Sequence, residues 1–273
     1  MDSAFYVSEG GHFVSSELTR GPWDPGAQHA GPPAALIARE LENTPWIPPG
    51  TPGGEAEEVA GVFIGRITYD ILRPVPIAPL RVEVEVVRPG RSVELLSALL
   101  VDQSGQPLIR ASAWRLAERD VEIPAGVPRG TAPVPGPEQG TAEPFFDTAQ
   151  EVGYHTAMEN RFVRGAFREL GPATVWMRMR HPLVEGEEPS PLQRLLTAAD
   201  SGNGVSATLD LSRFIFINVD LTVHLHRQPA TEWVGLEAIT IPEPTGIGLA
   251  DTVLHDERGP IGRALQTLLV RER

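Results

Sequence analysis

Ser190-Pro191-Leu192-Gln193-Arg194-Leu195-Leu196-Thr197-Ala198-Ala199-Asp200, followed by Ser201-Gly202-Asn203-Gly204, reads as one short helix and its stop signal. Pro191 suits a first helical position, Ser190 before it suits a cap, and the Gly-Asn-Gly run tolerates positive φ beyond the end. Leu192, Leu195, Leu196 and Ala199 recur at i, i+3, i+4 and i+7, so they form one apolar stripe that something else must cover. Asp200 falls about 80° round from Leu192, at the border of that stripe and at the helix end where the dipole repels negative charge. A carboxylate there is either a solvated helix-end residue capping the next turn, or one kept for chemistry.

Outward from this helix the chain alternates strands and turns. Before it, Thr156–Arg164 and Ala173–Arg180 read as strands; after it come Phe214–Arg227, Glu232–Ile241, Gly246–His255 and Ile261–Val270. The same order stands earlier. Phe5–Val7 and His12–Val14 flank the turn Glu9-Gly10-Gly11, and a breaker-rich loop from Gly21 to Pro33 feeds a helix over Pro33–Asn43. A flexible loop is expected over Pro48–Gly54, then four strands at Phe63–Ile71, Leu80–Val86, Glu94–Val101 and Leu108–Leu116. Two strands, one helix and four strands are thus written twice. Val101-Asp102-Gln103-Ser104-Gly105 is echoed by His255-Asp256-Glu257-Arg258-Gly259 at an offset of 154 residues, and Arg110-Ala111 by Arg263-Ala264 at 153. Between the copies, Glu118–Pro144 carries six prolines and little apolar periodicity, which reads as an extended linker. The expected organisation is an N-terminal unit at 1–117, a linker at 118–145 and a C-terminal unit at 146–273. Each unit would be an α+β layer of one helix on an antiparallel sheet.

Composition bounds the partners. A chain of 273 residues with 41% hydrophobic and 22% charged residues can bury a substantial core, and a net charge of −13 argues against nucleic acid or an anionic membrane. With no cysteine, disulfides, thiolate metal sites and cysteine nucleophiles are excluded. No apolar run is long enough to span a bilayer and the first residues lack a leader pattern, so a cytoplasmic protein is expected. His224 and His226 share a strand face without a third ligand at metal spacing, so no metal is expected.

The ordered set Gly21-Pro22-Trp23, His29-Ala30-Gly31, Arg88-Pro89-Gly90-Arg91-Ser92, Ala198-Ala199-Asp200, Asn218–Arg227 and Gln266 resembles the acyl-CoA thioesterase II family. That resemblance implies a double hotdog fold, in which a central helix is wrapped by an antiparallel sheet twice in one chain. It also implies hydrolysis of acyl-CoA thioesters in lipid metabolism, with CoA belonging to the substrate and no separate cofactor. The family's water-binding Asp, Thr and Gln map onto Asp200, Asn218 and Gln266, with asparagine where the family has threonine. His29 and Gly31 are implied as substrate-binding residues. Arg91, with Arg88, Arg161, Arg164 and Arg168, could meet the CoA phosphates, although pairing with the many acids explains these arginines equally well. By analogy with hotdog sheets that associate through their edges, a homo-oligomer is expected.

Thioester hydrolysis needs a positioned water, a base, and donors for the developing oxyanion. A desolvated Asp200 could be that base, and backbone N–H groups at a helix N-terminus could be the donors. Gln266 shares a strand face with Ala264, Leu268 and Val270, where an amide must find partners; its counterpart in the first unit is Ala113. If the strand through Asn218 is regular, that side chain lies in phase with Asp220 and Thr222, away from the apolar face. A bulge near 218–220 would restore it. Two rival readings stand beside hydrolysis: a non-catalytic acyl-CoA-binding protein, and an enoyl-CoA hydratase-like enzyme. Against the latter, Val205 occupies the position five after Asp200 where a histidine would be needed.

Overall fold

The computed structural model describes residues 3–47, 61–127 and 132–273. The loop expected over Pro48–Gly54 lies outside them. In the first unit, β1 (Tyr6–Glu9) and β2 (His12–Ser15) form a hairpin. Its turn is possible because Gly10 and Gly11 both take positive φ, 56° and 82°. Then follow α1 (Gly31–Asn43), β3 (Val62–Ile71), β4 (Pro79–Arg88), β5 (Val93–Asp102) and β6 (Pro107–Ala117). The second unit holds a single turn α2 (Tyr154–Ala157), β7 (Met158–Arg164), β8 (Ala173–Met179), α3 (Pro191–Ala199) and a second single turn α4 (Gly202–Val205). Its remaining strands are β9 (Phe214–Asn218), β10 (Asp220–Leu225), β11 (Val234–Pro242), β12 (Ile247–Asp256) and β13 (Gly259–Glu272).

The strands join in one sheet in the order β1-β2-β4-β5-β6-β3-β10-β13-β12-β11-β8-β7, with β9 also on β13. Each unit keeps the same internal order, and the two meet edge to edge where β3 runs antiparallel to β10. The sequence echo is structural: Asp102 and Asp256 end corresponding strands and turn corresponding hairpins. Asp102 Oδ1 accepts from Ser104 N–H at 2.8 Å, and Asp256 Oδ1 from Arg258 N–H at 2.8 Å. The outer edges are blunted by short contacts. Tyr6 of β1 bridges Val184, and Phe162 of β7 exchanges backbone hydrogen bonds with Thr141. Residues 132–145 are therefore not a free spacer. Besides the Thr141 bridge, the Pro135 carbonyl accepts from Trp176 Nε1–H at 2.7 Å.

The helices lie side by side and antiparallel between the two halves. Near the start of α3, Ser190 Oγ and Gln193 Nε2 donate to the Glu42 carboxylate near the end of α1. At the other end Gly31 touches Thr197, where a Cβ would fall 2.2 Å from the Thr197 carbonyl oxygen, so only glycine permits this approach. Leu192, Leu195 and Leu196 are fully buried, each contributing roughly 1.5–3 kcal/mol of transfer free energy. Ser190 caps α3 as its sequence requires, accepting from Gln193 N–H at 3.1 Å.

Three expectations are corrected. α1 begins at Gly31 rather than Pro33, because its first turn extends into the His-Ala-Gly segment. The Gly202-Asn203-Gly204 run is not a left-handed stop; no positive φ occurs there, and α4 forms instead. The strand expected over Phe214–Arg227 is broken at Val219 into β9 and β10.

Candidate active site

Asp200 terminates α3 and is only 5% exposed. Its own helix presents the carbonyl end to it, which is unfavourable for an anion. The antiparallel packing offsets this by bringing the start of α1 against it, where the Ala30 backbone N–H favours the carboxylate. Burial outweighs that help. Desolvation drives the carboxyl up from 3.8 to about 7, against hydrogen bonds from Asn218, Gln266 and Ala30 that pull it down.

Gln266, in the middle of β13, is 1% exposed. Its Nε2 donates to Asp200 Oδ1 at 3.1 Å and to the Asp200 carbonyl at 3.1 Å, while its Oε1 accepts from Asn203 N–H at 3.1 Å. The amide thus sits behind the carboxylate and clamps the junction of α3 and α4. Ala113 occupies the matching place in β6, buried against an apolar neighbourhood. Gly202 makes room for this clamp: a Cβ there would meet Thr252 Oγ1 at 2.5 Å and Gln266 Oε1 at 3.2 Å.

Asn218 also reaches the carboxylate, its Nδ2 donating to Asp200 Oδ1 at 2.8 Å. The bulge anticipated from the sequence is present. Asn218 faces Leu268 and Thr222 faces Leu265, so one strand spends an extra residue at Val219. Past that point the phase reverses, and Asn218 shares a face with buried Leu221 and Val223.

The other carboxylate oxygen, Oδ2, lies 3.3 Å from His29 Nδ1. His29 Nδ1 accepts the Gly31 N–H at 3.1 Å, and the ring stacks on Tyr154 with centroids 3.7 Å apart and planes 5° from parallel. Burial lowers the imidazole from 6.5 to about 3, so at neutral pH the ring is uncharged and this close contact is not an ion pair. Tyr154 is itself fixed through its hydroxyl to Ser201 Oγ and the Thr197 carbonyl, both at 2.8 Å.

Two cavities meet at these residues. A cleft between the units is lined by Asp200, Asn218, Ala30 and Arg73 among others, and it opens to solvent. Behind it an apolar cavity is walled by Phe145, Phe146, Phe167, Tyr154, Met158 and Met177. Trp23, His29 and Asn203 line both.

The structure therefore brings Asp200, Asn218, Gln266 and His29 together. Gly31 lies beside them as a helix-packing residue, buried and facing Thr197. Arg91 lies elsewhere, exposed in the turn between β4 and β5 and outside both cavities. Arg161 and Arg168 are engaged with Glu159 and Asp147, and Arg88 lies over Trp114. Sequence reasoning missed Asn203, which read as a turn residue. It also missed Arg73, whose position in the cleft follows from where β3 ends beside β9. The polar residue between two glycines directly after Asp200 was the available signal for Asn203. Among the described residues no cluster of three or more acidic or histidine side chains is arranged to hold a metal ion, and no helix is long and apolar enough to cross a membrane.

Two family models match the chain. The acyl-CoA thioesterase N-terminal domain matches residues 19–116, and the acyl-CoA thioesterase C-terminal domain matches residues 137–270. No curated protein matches. Among solved structures, a provisionally assigned thioesterase from Novosphingobium aromaticivorans is similar at 17% identity and a TM-score of 0.70, over 97% of this chain and 98% of that one. A hot dog fold protein of unknown function from Alicyclobacillus acidocaldarius gives 17%, 0.68, 98% and 95%; the TesB protein of Mycobacterium avium subsp. paratuberculosis gives 14%, 0.67, 97% and 95%. At such identities the likeness is one of fold, and the fold is the double hotdog.

Proposed function

The chain belongs to the acyl-CoA thioesterase family, of the thioesterase II-like kind, and on that premise we propose that Asp200 is the base of its thioester hydrolysis. Asn218 and Gln266 hold Oδ1, so that Oδ2 is the oxygen left to take a proton. A water in the cleft beside Asp200 gives up that proton as its oxygen bonds the thioester carbonyl carbon. The carbonyl electron pair moves to oxygen and returns as the C–S bond breaks. The thiolate takes the proton back from Asp200, leaving the acid and CoA thiol. Gln266 in this scheme acts through Asp200, since its amide is spent on the carboxylate and on Asn203 N–H and it lines neither cavity.

The substrate divides between the two cavities. The acyl group suits the aromatic chamber by its apolarity, and the chamber's free volume of about 40 Å³ fits a short chain. The CoA arm suits the open cleft, where Arg73 offers a cation for phosphate and makes no ion pair with any described residue.

One observation carries this reading: a buried carboxyl lifted to about 7 that lines the open cleft, next to His29, which lines both cleft and chamber. Purified protein is assayed with acyl-CoA substrates from acetyl to palmitoyl, with a thiol reagent detecting CoA. We expect turnover that rises with pH through about 7 and falls by roughly 10²–10⁴ in Asp200→Asn. Tight acyl-CoA binding without turnover would support the non-catalytic alternative.

A further inference from the structure

The thioester group joins the CoA arm to the acyl chain, so in the arrangement proposed above its carbonyl lies where the cleft meets the aromatic chamber. Three residues line both spaces: Trp23, His29 and Asn203. All three can donate, but Trp23 stacks on Phe146 and is 48% exposed, which leaves His29 and Asn203 as the less exposed donors. We propose that His29 Nε2–H and the Asn203 side-chain amide are the donors that meet the thioester carbonyl oxygen and stabilise the oxyanion. This rests on the thioesterase reading and names the electrophilic half of that site.

The tautomer of His29 follows from its neighbours. Nδ1 accepts the Gly31 N–H in an aligned hydrogen bond at 3.1 Å, whereas Asp200 Oδ2 at 3.3 Å makes no hydrogen bond to it. A ring nitrogen that accepts carries no proton, so in the neutral imidazole the proton is on Nε2. Nε2 has no hydrogen-bond partner among the described residues, on a side chain that borders both cavities. Burial at the start of α1 keeps the ring uncharged at neutral pH, so it is a donor and not a counter-ion. Its direction is fixed twice, by the Gly31 bond and by the stack on Tyr154, whose hydroxyl is tied to α3 and Ser201. A donor fixed before substrate arrives is the kind that lowers a barrier.

Asn203 completes the pair. Its backbone N–H is used by Gln266, which anchors the first turn of α4, while its side-chain amide has no partner among the described residues. The clamp that orients the base therefore also positions the second donor. The base and the His29 donor sit at opposite ends of one imidazole: Asp200 lies near Nδ1, and the carbonyl oxygen would lie at Nε2. Water attacking from the Asp200 side pushes charge onto an oxygen already facing two N–H groups.

The test uses the full chain carrying Asp200→Asn, expected to bind substrate with turnover slowed, and acetyl-CoA labelled with ¹³C at the carbonyl. Infrared difference spectra should show the bound carbonyl stretch moved to lower frequency. That shift should vanish when His29→Phe is added, which keeps an aromatic ring on Tyr154, shrink with Asn203→Ala, and return with His29→Gln. In the otherwise unaltered chain, His29→Phe should lower kcat by roughly 10²–10³ with KM changed less than about threefold, and His29→Gln should recover about tenfold of that loss. If His29→Phe fails to fold, the Asn203→Ala spectrum and kcat decide. An unshifted carbonyl, or an unchanged kcat in both His29→Phe and Asn203→Ala, overturns the inference. A shifted carbonyl in a wild-type chain that hydrolyses no acyl-CoA would overturn the thioesterase reading and the oxyanion role with it, leaving His29 and Asn203 only as ground-state contacts of a bound carbonyl.

Discussion

Asn218 Nδ2 reaches Asp200 Oδ1 at 2.8 Å because the strand bearing it holds one residue more than its partner. The extra residue, Val219, is pushed outward to 48% exposure. The kink is secured on both sides of Thr267: its carbonyl accepts Val219 N–H at 3.0 Å, and its N–H is taken by Asp220 Oδ1 at 2.6 Å. A bulge here re-aims one side chain from the outer face of the sheet to the carboxylate.

Asn218 lowers the Asp200 pKa by donating to the charged form, so removing that donor must raise it. Asn218→Leu should move the ascending limb of kcat/KM to higher pH and cut the rate at pH 7. Asn218→Thr, whose hydroxyl can also donate, should leave the limb within a few tenths of its original position. An unmoved limb in the leucine variant, from a full pH–rate profile, would separate Asn218 from the base.

Asp200 and His29 have opposite linkages in overlapping pH windows. Asp200 is raised from 3.8 to about 7, so the folded state binds more protons than the unfolded one between those values; its contribution to stability is lost as pH rises through that range. His29 is lowered from 6.5 to about 3, so the folded state binds fewer protons there; its contribution is lost as pH falls through that range. In the wild type the two largely cancel between about pH 4 and 6.5. Asp200→Asn should unmask a stability that climbs with pH across this window, and His29→Phe one that declines. Urea melts at half-unit pH steps check both slopes. Parallel slopes in the two variants would contradict the opposite shifts of the two groups.

Gly204 borders the aromatic chamber, and a Cβ built on it meets nothing within 4 Å. It lies within α4, where glycine costs roughly 0.5–1 kcal/mol relative to alanine. Gly204→Leu should therefore fold at least as well as the parent while filling the chamber. We expect kcat/KM for butanoyl-CoA to fall by about tenfold or more, with acetyl-CoA changed less than about threefold. Equal losses on both substrates would place the acyl chain elsewhere.

Much of this architecture was legible because the signals were periodic or repeated. The echo of Asp102 in Asp256 gave the duplication, since both carboxylates turn equivalent hairpins. Gln266 was readable as an amide stranded on an apolar face, and Asp200 as a carboxylate in a poor position on its own helix. The remedy for Asp200 was not readable. The N-terminus of α1 stands some 170 residues away in the chain, and nothing local announces that the two helices run antiparallel in contact. Gln266 was expected to touch the water; its packing behind Asp200 depends on the turn of α4, which the glycines disguised as a stop. Arg91 was chosen for its motif, while Arg73 lies in the cleft by virtue of the seam between β3 and β10.

That seam has a consequence for when the protein becomes reactive. Asp200 and its clamp belong to the second unit, but the Ala30 N–H and the His29 ring that surround it come from the first. A chain whose halves have folded without docking lacks that N–H and that ring beside Asp200. On the thioesterase reading, reactivity therefore waits on contact between two units of one polypeptide.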